Sequence, residues 1–115
     1  MADPTGAPST PSLRASQVTI TSAGPNTYAV SGPLTFATAR SALAAGIAAF
    51  SSAPGSPIAV DCANVGAADS AGLAVLIEWL AWGRRNGREL RYTGVPEAIR
   101  AIARISEVES LLLRG

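Results

Sequence analysis

Few side chains of this chain could carry out covalent or acid–base chemistry. The sequence contains no histidine and one cysteine, so neither a Ser-His-Asp nor a Cys-His nucleophile has its base, and zinc lacks ligands. Cys62 directly follows an apolar run, which favours a small buried side chain over a reactive thiol. Asp61 and Asp69 occupy strand-end or loop positions, where aspartate commonly caps a helix or forms a turn. We therefore expect no enzymatic activity, no metal site and no cofactor.

The next candidate is Ser70, which lies beside Asp69 and two positions before Gly72, at the expected start of a helix. One interpretation is an N-cap, in which the serine side chain accepts a backbone N–H in the first turn. The other is a contact or phosphorylation site. A phosphate there would be favoured by the helix dipole but would add charge beside Asp69, so it could release a bound partner. The residues alone leave both interpretations open.

The helix that follows Ser70 carries apolar side chains on two sides. At about 100° per residue, one stripe is the expected core face and consists of Leu73, Leu76, Ile77 and Leu80. A second stripe, roughly opposite, consists of Val75, Trp79 and Trp82. Because a helix that covers a sheet needs only one apolar face, the second stripe predicts another buried contact. We favour a partner protein, since tryptophan is enriched at interfaces, over packing against a neighbouring helix. An exposed tryptophan stripe would also permit weak self-association.

Charge argues against a nucleic-acid partner, and hydropathy argues against a membrane span. The net charge is +1 and all nine basic residues are arginine, whereas nucleic-acid binding needs a clustered positive excess. A local cluster at residues 84, 85, 88 and 91 is typical of a solvated helix end, or it could contact acidic partner residues or lipid headgroups. The longest apolar stretch, residues 73–83, is interrupted by Glu78 and is too short to span a bilayer. We expect no nucleic-acid partner and no membrane span.

The first half of the chain predicts a hairpin and a helix. Residues 16–21 and 27–30 alternate like half-buried strands, and turn-forming residues lie between them. After residue 33 the apolar period becomes helical, with Thr35 as the expected N-cap. The apolar stripe of that helix consists of Phe36, Leu43, Ile47 and Phe50. Residues 1–15 contain three prolines among small and polar residues and no signal-peptide core, so we expect a disordered tail.

The second half predicts alternating strands and helices. Residues 58–62 are an apolar run typical of a strand covered on both faces, and the helix from Ser70 should end near Gly87 as its C′ residue. A strand over 90–93, a helix over 96–105 with Pro96 at N1, and a short helix over 108–113 follow. The order β-β-α-β-α-β-α-α predicts an α/β domain with a mixed sheet of about four strands and helices packed against it.

The segment IAVDCANV at residues 58–65, followed by ADSAGL at residues 68–73, resembles the strand, loop and helix start of the STAS family. Anti-sigma factor antagonists and small transport accessory proteins share this fold. The resemblance extends from about residue 16 to residue 112 of a domain expected at residues 16–115, and it implies a partner-binding role. In the antagonist branch, the serine that matches Ser70 is phosphorylated by a cognate kinase, and this releases the anti-sigma partner.

Softer similarities favour the MlaB-like branch, the small cytoplasmic STAS subunits of Mla phospholipid-transport ABC systems. They lie at residues 34–39, in the helix over 73–85 and at residues 95–106. This resemblance implies docking on the ATP-binding subunit at the inner face of the inner membrane, with support of its assembly and ATPase activity. An anti-sigma factor antagonist that binds an anti-sigma factor kinase is the alternative. The partner-binding residues expected from these patterns are Asp69, Ser70, Ala71, Gly72, Val75, Trp79 and Trp82.

Overall fold

A computed structural model describes residues 17–114, with the side chains of residues 17–112. Its sheet contains four strands in the same order in space as in the chain. The strands are β1 (Thr19–Gly24), β2 (Thr27–Leu34), β3 (Ile58–Ala68) and β4 (Leu90–Thr93). β1 and β2 pair antiparallel as a hairpin, whereas β2, β3 and β4 are parallel. The predicted mixed sheet with an N-terminal hairpin is therefore confirmed, and the expected tail at residues 1–15 lies outside the described residues.

The helices connect the parallel strands and complete the domain. They are α1 (Ala39–Ser51), α2 (Ser70–Arg85), α3 (Glu97–Ile105) and α4 (Glu109–Arg114). Asn86 is the C-cap of α2, and Gly87 follows with a φ of 68°, which agrees with the predicted C′ glycine. Pro96 is the N-cap of α3, one position before the N1 site that the sequence indicated. None of the helices in residues 17–114 is long and apolar enough to cross a membrane.

The two central strands bury alternate residues in a core with the helices. The buried side chains contributed by the sheet are Tyr28, Val30, Leu34, Ile58, Val60, Cys62, Val65 and Leu90. The residues between them on β3, Ala59 and Asp61, are half-buried, so the prediction of a β3 strand fully covered on both faces is wrong. β2 and β3 also extend beyond the predicted ranges 27–30 and 58–62, because their later residues pair with each other up to Leu34 and Ala68.

The start of α1 differs from the prediction. The hydroxyl of Thr38 donates to the carbonyl oxygen of Pro33 at 2.9 Å and accepts from the backbone N–H of Thr35 at 3.0 Å. These bonds close a turn over residues 35–38, so the helix begins at Ala39 and Thr35 is not its N-cap. Phe36 consequently leaves the apolar stripe and is 86% exposed.

Candidate protein-binding site

The junction between β3 and α2 is organised by the carboxylate of Asp69. Asp69 is the N-cap of α2: its Oδ1 accepts the backbone N–H groups of Ala71 at 2.9 Å and Gly72 at 3.3 Å. Its Oδ2 accepts the backbone N–H of Phe36 at 3.1 Å. One side chain therefore satisfies donors of the first turn of α2 and also fixes the turn that precedes α1.

Ser70 is the first residue of α2 and is exposed, so the interpretation of Ser70 as the N-cap is wrong. Asp69 takes that role because its longer carboxylate reaches the first-turn amides and the Phe36 amide together. Ser70 is therefore an exposed residue at a helix N-terminus. That position is accessible both to a partner and to a modifying enzyme.

Exposed residues from two segments lie near Ser70. The backbone of Phe36 is hydrogen-bonded to Asp69, the residue before Ser70, and Ala37 follows Phe36 in the same turn. Ala74 is exposed one turn along α2 from Ser70. We call the exposed residues Phe36, Ala37, Ser70 and Ala74 the docking surface. Its members are one large aromatic side chain, one hydroxyl and two small apolar side chains.

Gly72 lies beneath this surface and is buried. A Cβ at this position would collide with the carbonyl oxygen of Leu34, so the first turn of α2 packs directly on the end of β2. The predicted direct contact of Gly72 with a partner does not fit this position, because the residue serves backbone packing. Ala71 is half-buried.

The predicted partner-binding stripe on α2 is wrong, because Val75, Trp79 and Trp82 are all buried. The indole Nε1 of Trp79 donates to the carbonyl oxygen of Leu43 on α1 at 3.2 Å. The ring of Phe50, also on α1, lies 5.2 Å from the Trp79 ring and 6.2 Å from the Trp82 ring between centroids. The second apolar stripe of α2 thus packs against α1, which is the alternative that the sequence left open. Neither tryptophan is exposed, so the reason to expect self-association does not hold.

Gly46 explains how α1 approaches Trp79 so closely. This glycine is buried in α1, and a Cβ there would overlap the indole ring of Trp79. The apolar pattern did not reveal this contact, because a glycine adds nothing to a hydrophobic stripe. The position of Gly46 within a helix was the available signal, since glycine inside a helix often marks a close contact.

Burial holds the side chains of Cys62 and Tyr92 in their neutral forms. Burial, with a smaller contribution from Asp61, raises the pKa of the Cys62 thiol to about 12. Burial also raises the pKa of Tyr92, whose hydroxyl donates to the carbonyl oxygen of Leu76 at 2.6 Å. A thiol in such surroundings is a poor nucleophile. Within the described part of the chain, no three His, Cys, Asp or Glu side chains come together as a metal site.

The predicted arginine cluster separates into two pairs with different surroundings. The guanidinium of Arg88 donates to the backbone carbonyls of Ala53 and Gly55, and Arg91 pairs with Glu89 at 2.9 Å. Arg84 and Arg85 are exposed in the last turn of α2, where positive charge is favourable to the helix dipole. The cluster is therefore not one continuous cationic patch.

A family model described as "Mlab, STAS domain" matches residues 18–114, which includes every strand and helix of the part of the chain that the structure describes. The chain belongs to the MlaB-like STAS domain family. No curated protein matches the chain. In this MlaB-like STAS domain, the ADSAGL segment forms the end of β3 and the first turn of α2, as the resemblance implied. Phe36, which the predicted apolar stripe assigned to the core, is a member of the docking surface that the sequence did not indicate.

Proposed function

We propose that this STAS domain is a non-catalytic accessory subunit that docks on the ATP-binding subunit of a Mla-type phospholipid transporter. The partner would hold it at the cytoplasmic face of the inner membrane, where it would support assembly and ATPase activity. The match to the MlaB-like family over residues 18–114 supports this choice of partner. The single observation that carries the binding role is the exposed Phe36 fixed beside Ser70 by Asp69.

Phe36 has the properties of an interface anchor. Burial of an exposed phenylalanine by a partner contributes about 1.5 to 3 kcal/mol, a large share of the binding energy of a small interface. The hydrogen bond from its backbone to Asp69 restrains the turn before binding, so less conformational entropy is lost on association. The small side chains of Ala37 and Ala74 leave room for partner side chains to approach the aromatic ring.

The proposal also states that the domain has no enzymatic activity. The chain contains no histidine, and its one thiol is buried with a raised pKa. Ser70, the exposed hydroxyl of the docking surface, is preceded by an aspartate whose two oxygens accept backbone N–H groups. Because backbone hydrogen bonds occupy both oxygens of that carboxylate, it does not act as a base for Ser70. This supports a binding role for Ser70 over a nucleophilic one.

A second candidate function is an anti-sigma factor antagonist regulated by phosphorylation of Ser70. The observation that favours it is that Ser70 is exposed at the start of α2 and is free of the capping role. A phosphate would add about 1.5 to 2 negative charges within the docking surface and close to the Asp69 carboxylate. Such a charge would oppose the burial of Phe36 by a partner.

The two functions are distinguished by the proteins that bind the chain in its native cells. We would purify the tagged wild type and the Ser70→Glu variant and identify bound proteins by mass spectrometry. Ser110→Glu is the matched control, because Ser110 is also an exposed serine in the first turn of a helix. Recovery of an ABC ATPase with wild type and Ser110→Glu, but not with Ser70→Glu, would support the transporter proposal. Recovery of an anti-sigma factor kinase in that pattern would support the second candidate.

A further inference from the structure

A groove of about 480 Å³ lies at the other end of α2, between its last turns, the segment that enters β4, and α4. Three leucines from these elements provide its apolar lining: Leu80, Leu90 and Leu111. Its charged lining consists of Arg84, Arg88 and Glu89. The leucines are buried or half-buried, whereas Arg84 and Glu89 are exposed, so the groove combines an apolar interior with a charged border.

The charges of this border do not cancel. Glu89 is already paired with Arg91 at 2.9 Å, and the Arg88 guanidinium is held in place by the Gly55 carbonyl oxygen at 3.0 Å. Arg84 makes no ion pair with any of residues 17–112. Two arginines therefore line the groove, together with one glutamate that is already paired with Arg91. This arrangement is complementary to a ligand with an apolar part and an acidic group.

We propose that this groove binds an acidic segment of a partner protein. A leucine-sized side chain of the segment would rest on Leu80 and Leu111, and a neighbouring carboxylate would accept bidentate hydrogen bonds from Arg84. The site is separate from the docking surface. Ser70 and Arg84 are fourteen positions apart on α2, or about 21 Å along a helix axis.

The arginines favour a peptide over an anionic membrane surface. Attraction to an anionic lipid surface grows with the number of basic residues that are free to approach it. Arg88 and Arg91 are engaged by backbone carbonyls and by Glu89, which leaves Arg84 and Arg85 for a flat surface. Two charges give weak membrane binding. A peptide carboxylate that binds Arg84 in the groove gains directional hydrogen bonds, and the neighbouring side chain of the peptide gains apolar contact.

The test uses the isolated protein and a labelled, acetylated and amidated hexapeptide of alternating aspartate and leucine, measured by fluorescence polarisation. Arg84→Gln should weaken peptide binding at least about fivefold, because a charge-assisted hydrogen bond contributes more than 1 kcal/mol. Arg85→Gln is the matched control: it removes the adjacent charge from the same exposed helical turn, but Arg85 does not line the groove. It should change the affinity less than about twofold. A peptide with asparagine in place of aspartate should bind more weakly than the acidic one.

Three results would overturn the proposal. The first is no binding of the acidic peptide at millimolar concentration, and the second is an equal loss in the two arginine variants, which indicates general charge attraction. The third is binding to phosphatidylglycerol vesicles without binding to the peptide, which indicates a lipid surface. Because no ATP-binding subunit is present in this assay, its result is independent of the transporter proposal.

Discussion

The backbone N–H of Phe36 and the Oδ2 atom of Asp69 are 3.1 Å apart, although 33 positions separate the two residues in the chain. This hydrogen bond joins the turn before α1 to the N-terminus of α2. It places an exposed aromatic ring and an exposed serine on one surface. The same carboxylate caps α2, so helix stability and the geometry of the docking surface depend on one side chain.

Replacement of Asp69 should affect both the stability of α2 and the geometry of the docking surface. Asp69→Ala removes the cap and leaves the Phe36 amide without its acceptor, so the free energy of unfolding should fall by about 1 to 2 kcal/mol. Asp69→Asn retains one side-chain oxygen for the cap and should lose less. Urea denaturation of the two variants and wild type measures these differences. Equal stability of Asp69→Ala and wild type would contradict the capping geometry.

Trp79 should behave as a core residue. Its side chain is fully buried between α1 and α2, and its indole N–H bonds the Leu43 carbonyl. We expect Trp79→Ala to lower the free energy of unfolding by about 3 to 5 kcal/mol. Trp79→Phe should cost less, because it retains most of the apolar volume. A Trp79→Ala variant that keeps wild-type stability but loses partner binding would show that Trp79 belongs to an interface instead.

Alkaline pH should destabilise the domain. In the unfolded chain, Cys62 and Tyr92 release protons near their ordinary pKa values of 9.0 and 10.0, while the folded domain retains these protons because burial raises both pKa values. The unfolded state therefore binds fewer protons above about pH 9, and the free energy of unfolding must fall as pH rises further.

Denaturant titrations at about pH 8 and about pH 11 measure this loss directly. In Cys62→Ala, the loss between the two pH values should be smaller than in wild type, because one of the two buried groups no longer titrates. An unchanged free energy of unfolding at about pH 11 in the wild type would contradict the burial of these groups as the structure has it.

The sequence predicted the order of strands and helices and the start of α2, because these depend on local signals. Alternation marks the hairpin, and Gly87 marks the end of α2. Local signals could not predict what the second apolar stripe of α2 contacts, since this depends on α1 lying alongside α2. Gly46 permits that contact and carries no hydrophobic signal of its own.

The misplacement of Phe36 has a similar origin. Its spacing from Leu43 fits a helical stripe, but the hydroxyl of Thr38 closes a turn with Pro33 and Thr35 before the helix begins. Competition between side-chain and backbone hydrogen bonding of this kind is short in range. The hydrogen bond from the Phe36 backbone to Asp69 comes from a distant part of the chain, so no local pattern predicts it.

The most direct test of the docking surface is the affinity of Phe36→Ala for the ATP-binding subunit of the Mla-type transporter from the same cells, measured by isothermal titration calorimetry. Ile105→Ala is the matched control, because Ile105 on α3 is 84% exposed and is the other large exposed hydrophobic residue of the described chain. Both variants should retain their fold, since neither side chain belongs to the core. We predict that Phe36→Ala weakens binding at least about tenfold and that Ile105→Ala changes it less than about twofold. Equal affinity of Phe36→Ala and wild type would contradict the account.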